Sequence, residues 1–226
     1  MLPKSVNTVL FYVIPFFLPV LFFGVEAFLG FDQKVEFYSE FGIELVQEAL
    51  LFVCLFLSLF IFVTIKPSEN KWLRIWMGLC SIACFYIAFE EISWGQKFFQ
   101  WSTPDVWAAN ATQKETNIHN HSQLFNRVPR TILEIGILFG GIIIPALMTW
   151  APQKLPQKFE AIYPFRSIAV IGILAFMIKV LEQFPGWFDI KIFYRKSEVM
   201  EIFMYDFIFL YLVSIAQKWK FEGRLR

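Results

Sequence analysis

The sequence predicts an all-α fold: a polytopic transmembrane helix bundle of six spans, one integral-membrane domain over residues 1–226. Three observations predict it. The residues are 57% hydrophobic, with 29 Phe, and they are gathered into long blocks. A soluble domain is itself about half apolar, so the gathering decides more than the total. Six of the blocks approach the roughly 20 residues that a helix needs to cross the hydrocarbon core. Polar, turn-forming segments separate several of them, among them Lys66–Lys71, Ala151–Pro156 and Pro185–Trp187.

The first block, 8–30, is too long for the apolar region of a cleaved signal peptide and reads as a signal anchor and first span. The second, 43–65, starts with Glu44 and Glu48. The third, 72–95, ends in Phe-Glu-Glu-Ile-Ser-Trp-Gly-Gln. The fourth, 131–150, carries Gly136 and Gly140 at the spacing that brings helices close, and a potential break at Gly140-Gly141 and Pro145. In the fifth, 165–184, Lys179 and Glu182 are three apart, which suits an ion pair on one helix face. The sixth, 201–216, is the shortest and holds Asp206. The polar loop 96–130 lies between the third and fourth spans.

Lys+Arg is 20 and Asp+Glu is 19, a balance that points to no nucleic-acid partner. Cys54, Cys80 and Cys84 all lie in apolar blocks and read as small core residues. Six spans put both ends of the chain on one side. That side has eleven Lys and Arg in its flanks and loops against eight on the other. The positive-inside rule then places both termini of this expected cell-membrane protein in the cytoplasm, with the 96–130 loop outside.

Nine acids lie in or at the ends of the spans: Glu26, Glu44, Glu48, Glu90, Glu91, Glu134, Glu182, Glu201 and Asp206. Following the chain direction, every one falls in the half of the bundle next to the 96–130 loop. Ionised groups in hydrocarbon are costly and face a bundle interior or a wet cavity. A polar chamber open to that face is expected, although acids at span margins also suit simple interfacial exposure.

The two densest motifs flank this level. Glu90 and Glu91 are neighbours and point about 100° apart on a helix, so only one can face a given partner squarely. Nineteen residues beyond Gln96 comes Glu115-Thr-Asn117-Ile-His119-Asn120-His121, which holds both histidines of the chain. Glu115 and His119, four apart, would share a helical face. With His121 beside them, and Glu91 or Glu134 from the spans, they offer donors for a divalent metal such as Zn²⁺, or an acid/base pair. The same side chains also suit a polar loop that caps turns at the interface.

The pairing of Glu-Glu-Ile-Ser-Trp-Gly-Gln with Gln113-x-Glu115-x-Asn117-x-His119-Asn120 resembles a group of bacterial polytopic membrane proteins of unassigned function. The resemblance covers a short central part of the chain. It implies a membrane location and marks those residues as the site, and it supplies no reaction.

The expected function is a membrane-embedded hydrolase or transferase acting on a lipid or lipid-linked substrate. Glu90, Glu91, Glu115 and His119 are the expected catalytic groups. Trp94, Gln96, Asn117, Asn120, Glu134 and Glu182 would hold the substrate, and His119, His121 and Glu115 would hold the metal. The alternatives are an ion- or proton-coupled transporter and a structural or assembly subunit. Expected partners are membrane lipids, with a second copy of the chain or another membrane protein.

Overall fold

The predicted blocks become helices, and their limits are set by nameable residues. The computed structural model describes residues 2–66, 68–105, 116–118, 123–188 and 192–222, with the backbone alone at 123–126, 183–188 and 221–222. Among these residues there is no strand. The helices are α1 (Lys4–Phe28), α2 (Phe31–Phe37), α3 (Ile43–Thr64), α4 (Lys71–Glu91), α5 (Gln96–Phe99), α6 (residues 123–150), α7 (Ala169–Phe188) and α8 (Lys196–Glu222).

Among the described residues five helices are long and apolar enough to cross a membrane: α1, α3, α4, the Arg127–Trp150 part of α6, and α8 as far as Lys220. The 20-residue helix α7 lies where a fifth span is expected.

Helix α4 starts at Asn70, whose side chain accepts from the Leu73 N–H at 2.9 Å, so one of the orphan donors of the first turn is satisfied. In α1 and α6 the helix widens to a π-helix over Val9–Val13 and Leu138–Ile143. Pro15 and Pro145 follow these stretches. A proline has no N–H to donate and its ring crowds the carbonyl four residues back, so the preceding turn opens and the helix continues. Residues 140–145 are therefore wound, and the expected break in this span is a π-helical widening.

Helix α8 is the axis of the bundle. Two-thirds of its apolar stretch is buried, far more than in any other candidate span. It packs against α3 and α7 and also touches α1 and α6. The outer helices turn apolar rows outward, such as Phe56, Phe60 and Val63 on α3 and Ile75, Leu79 and Ile82 on α4. Their spacing of three and four keeps each row on one face, as a lipid-facing surface requires.

Helices α6 and α7 come into backbone contact at a pair of glycines. A Cβ added to Gly172 would lie 2.7 Å from the Gly141 carbonyl oxygen, and one added to Gly141 would lie 3.0 Å from the Gly172 Cα. Gly136 faces open space, so the expected Gly136/Gly140 pairing is not the contact.

Helices α1 and α7 are shifted by up to four residues from the first and fifth expected spans, and three further boundaries bear on the site. The third span stops at Glu91, before Gly95. Helix α6 starts at Gln123, so the loop expected over 96–130 loses its last residues to helix. Its polar first turns escape a hydropathy reading. Helix α8, expected over 201–216, extends from Lys196 to Glu222 because its charged ends find partners.

Polar contacts gather at the two faces. At one, the Leu2 N–H donates to Gln217 Oε1 at 3.0 Å, and Gln217 Nε2 donates to Asn7 Oδ1 at 2.9 Å. At the other lie the acids.

Candidate functional site

The site begins with a backbone reversal. Beyond Glu91, three consecutive residues have positive φ: Ser93 (48°), Trp94 (55°) and Gly95 (97°). Gly95 takes this conformation without penalty. Ser93 and Trp94 together cost about 2–4 kcal/mol in the left-handed region. Side chains hold them there. The Trp94 indole N–H donates to Glu90 Oε1 at 2.5 Å, and its ring packs on Phe89 at 5.8 Å and Phe85 at 6.2 Å. The Asn117 amide donates to Ser93 Oγ at 3.3 Å.

The reversal brings the two sequence motifs together. Glu90 Oε2 accepts the Ile118 N–H at 2.8 Å. Gln96 Oε1 accepts the Thr116 N–H at 2.6 Å, while its amide donates to Trp101 O at 2.9 Å and Thr103 Oγ1 at 3.0 Å. Glu90, Ser93 and Asn117 are buried. Glu90, Gln96 and Asn117, with Trp94, thus form a clamp on the loop segment Thr116–Ile118.

Glu91 points elsewhere, as adjacent helical positions must. It accepts the Tyr205 phenol proton at 2.8 Å from α8. Glu201 lies within electrostatic reach of both Glu91 and Tyr205, and also of Glu198, Arg130 and Arg195. These groups line a cavity of about 710 Å³ between α2, α3, α4, α6 and α8. Six glutamates and three cations face it, and only Val35, Ile87, Pro129, Leu133 and Met204 are apolar. The acid excess favours a neutral or cationic guest over an anionic one.

The cations are tied to acids. Lys97, aimed inward by the reversal, reaches Glu48 at 2.9 Å and Glu44 at 3.8 Å. Burial opposes its charge, but the hydrogen bond and charge of Glu48, with Glu44 and Glu40 nearby, hold its pKa above the ordinary lysine value. Arg195 meets Glu44 at 2.6 Å, Glu198 at 2.9 Å and the Tyr38 carbonyl at 2.7 Å. Burial opposes its charge too, and Glu198 and Glu44 again prevail and raise its pKa. Arg130 contacts Glu182 at 3.1 Å and Glu134 at 3.4 Å; Lys179 contacts Glu134 at 2.8 Å and Glu182 at 3.1 Å. This ring ties α6 to α7 and contains the expected Lys179–Glu182 pair.

Of the expected catalytic, substrate-binding and metal-binding residues, Glu90, Glu91 and Asn117 reach the cavity wall, joined by Glu44 and Glu201 of the nine acids. Trp94 and Gln96 stand behind it in the clamp, and Glu134 and Glu182 are held in the ion ring. Glu115, His119, Asn120 and His121 lie outside the described residues. Among the described residues no three His, Cys, Asp or Glu are grouped to hold a metal ion.

Sequence reasoning missed Lys97, Arg195, Glu198, Tyr205 and Tyr86. A signal existed for two of them. Glu198, Glu201 and Tyr205 follow the three-and-four spacing of one helix face, but a span begun at 201 cuts the row. Tyr86 lines the cavity with a buried hydroxyl that has no hydrogen-bond partner among the described residues.

The chain matches no family model, no curated protein and no solved structure.

Proposed function

We propose that the chamber is the active site of a membrane-embedded hydrolase or transferase, and that it takes a neutral or cationic polar group of a lipid or lipid-linked substrate. The observation that carries this reading is Glu91: a carboxylate oriented by Tyr205, facing a polar cavity, with a second carboxyl, Glu201, in electrostatic reach. Such a pair suits acid–base work on an ester or amide. Glu91 takes the proton of a water or acceptor hydroxyl as its oxygen adds to the carbonyl carbon. Glu201 gives a proton to the departing oxygen or nitrogen. The proton taken by Glu91 then restores Glu201. The Tyr86 hydroxyl, which has no hydrogen-bond partner among the described residues, is placed to hydrogen-bond the guest.

Turnover of lipid ester, amide and phosphodiester probes by the protein in nanodiscs tests this reading. Glu91→Gln is expected to lose about 10²–10⁴-fold in rate on esters or amides, the range of general acid–base catalysis, with an unchanged melting temperature. Wild-type turnover in that variant sinks it. Glu115, His119 and His121 stay in the proposal as acid/base groups or as ligands of a divalent metal. Elemental analysis of the purified protein beside His119→Ala separates the two: a metal lost in the variant gives the metal-assisted version, and an equal metal content in both removes it.

We also infer six crossings, with α7 as the fifth. At about 1.5 Å per residue its 20 residues span roughly 30 Å. The bonds from Leu2 and Asn7 to Gln217 support an even number, because only an even number returns the chain to its starting face. The excess of Lys and Arg in the flanks and loops of that face supports a cytoplasmic placement of both ends and a chamber that opens outward. Protease protection of tags on both ends tests this; tags on opposite sides overturn it. Ion- or proton-coupled transport is the second reading, favoured by the depth of Asp206.

A further inference from the structure

Asp206 is set apart from the other acids. It lies ten residues into α8, about 15 Å along its axis and close to the middle of the Lys196–Lys220 span. It is 5% exposed, and its Oδ2 has no hydrogen-bond partner among the described residues. Among the described residues neither a cation nor a donor is paired with this carboxyl.

Its polar neighbours are weak ones. Cys54 of α3 is in electrostatic reach of Asp206 and of Cys84 on α4, and Cys84 shares a hydrogen bond with Ser58. Thiols are poor donors and acceptors. Along the three helices the nearest carboxyls are Glu201, five residues from Asp206, Glu48, six from Cys54, and Glu90, six from Cys84. At 1.5 Å per residue these are axial separations of about 7–9 Å. On the other packed helices, the ionisable groups Glu26, Glu134, Lys179 and Glu182 are engaged in ion pairs at the chamber level.

An ionised carboxylate buried with no partner is among the costliest arrangements in a membrane. A metal cation would relieve it only with several further oxygen ligands. Cys54, Cys84 and Asp206 do not form a grouping that can hold one. A proton needs the single carboxyl and nothing else.

We propose that Asp206 is an intramembrane proton-binding site, loaded from the chamber through Glu201, which lies above it on the same helix. This does not depend on the enzymatic reading of the chamber, and it stands or falls separately from probe turnover.

Infrared spectroscopy of the protein in nanodiscs tests it. The wild type is expected to show the C=O stretch of a protonated carboxyl that is missing from Asp206→Asn and from Asp206→Leu. In D2O that stretch should shift, and the shift should be several-fold slower in Glu201→Gln. Two variants are used so that one misfolded protein does not decide the matter, and melting curves report which are folded. Identical C=O spectra in the wild type and a folded Asp206 variant overturn the site. A deuterium shift as fast in Glu201→Gln as in the wild type overturns its loading from the chamber.

Discussion

Glu90→Ala is expected to cost about 1–3 kcal/mol in unfolding free energy for each of the two donors it leaves without an acceptor, and to release the loop. The carboxylate accepts from the Trp94 indole with one oxygen and from the Ile118 backbone with the other. Its removal strands both donors in a buried setting and leaves the left-handed turn at Ser93 and Trp94 without its brace. Faster proteolysis between α5 and α6, together with a lower melting point, is the expected readout. Glu90→Gln keeps one acceptor and should fall between the two. Glu91→Gln, one residue away, should leave the melting point and the proteolysis rate alone. A Glu90→Ala protein that melts and cleaves like the wild type would mean that the clamp does not hold the loop.

Gly172→Leu should force α6 and α7 apart. The atoms in its way are the backbone of Gly141, which cannot swing aside as a side chain can. Overpacking of a tight contact costs about 1–3 kcal/mol, occasionally more, and the upper end is expected here. The Arg130–Glu182 and Lys179–Glu134 bridges cross the same interface and should weaken with it. Gly136→Ala is the control. Gly136 faces open space, so the added methyl meets nothing and should stabilise the helix by about 0.5–1 kcal/mol. Equal melting points for the two variants would place the helix contact elsewhere.

The helices were legible because apolar blocks and polar separators are long-range features that no single side chain can disguise. The level of the acids was legible too, since chain direction alone places Glu44, Glu91 and Glu201 near one face. What could not be read was the division of work between Glu90 and Glu91. The two are chemically identical, and which one clamps the loop is decided by the turn that follows and by Ile118, 28 residues on. The Gly141–Gly172 contact was hidden for a similar reason. Spacing within one helix favours Gly136 and Gly140, and the partner glycine lies on another helix. Lys97 and Arg195 each sit just outside a span, where a basic residue reads as an interfacial flank. Their inward reach to Glu48, Glu44 and Glu198 is a property of the folded chain alone.

The central position of α8 bears on how the protein is made. Chains emerge from the ribosome N-terminus first, and earlier segments begin to fold before later ones exist. Here the most enclosed of the candidate spans is also made after all the other described helices. Until it arrives, Glu91 has no Tyr205, Glu44 has no Arg195, and Leu2 and Asn7 have no Gln217. The contacts that enclose the bundle axis can therefore form only once α8 has been made.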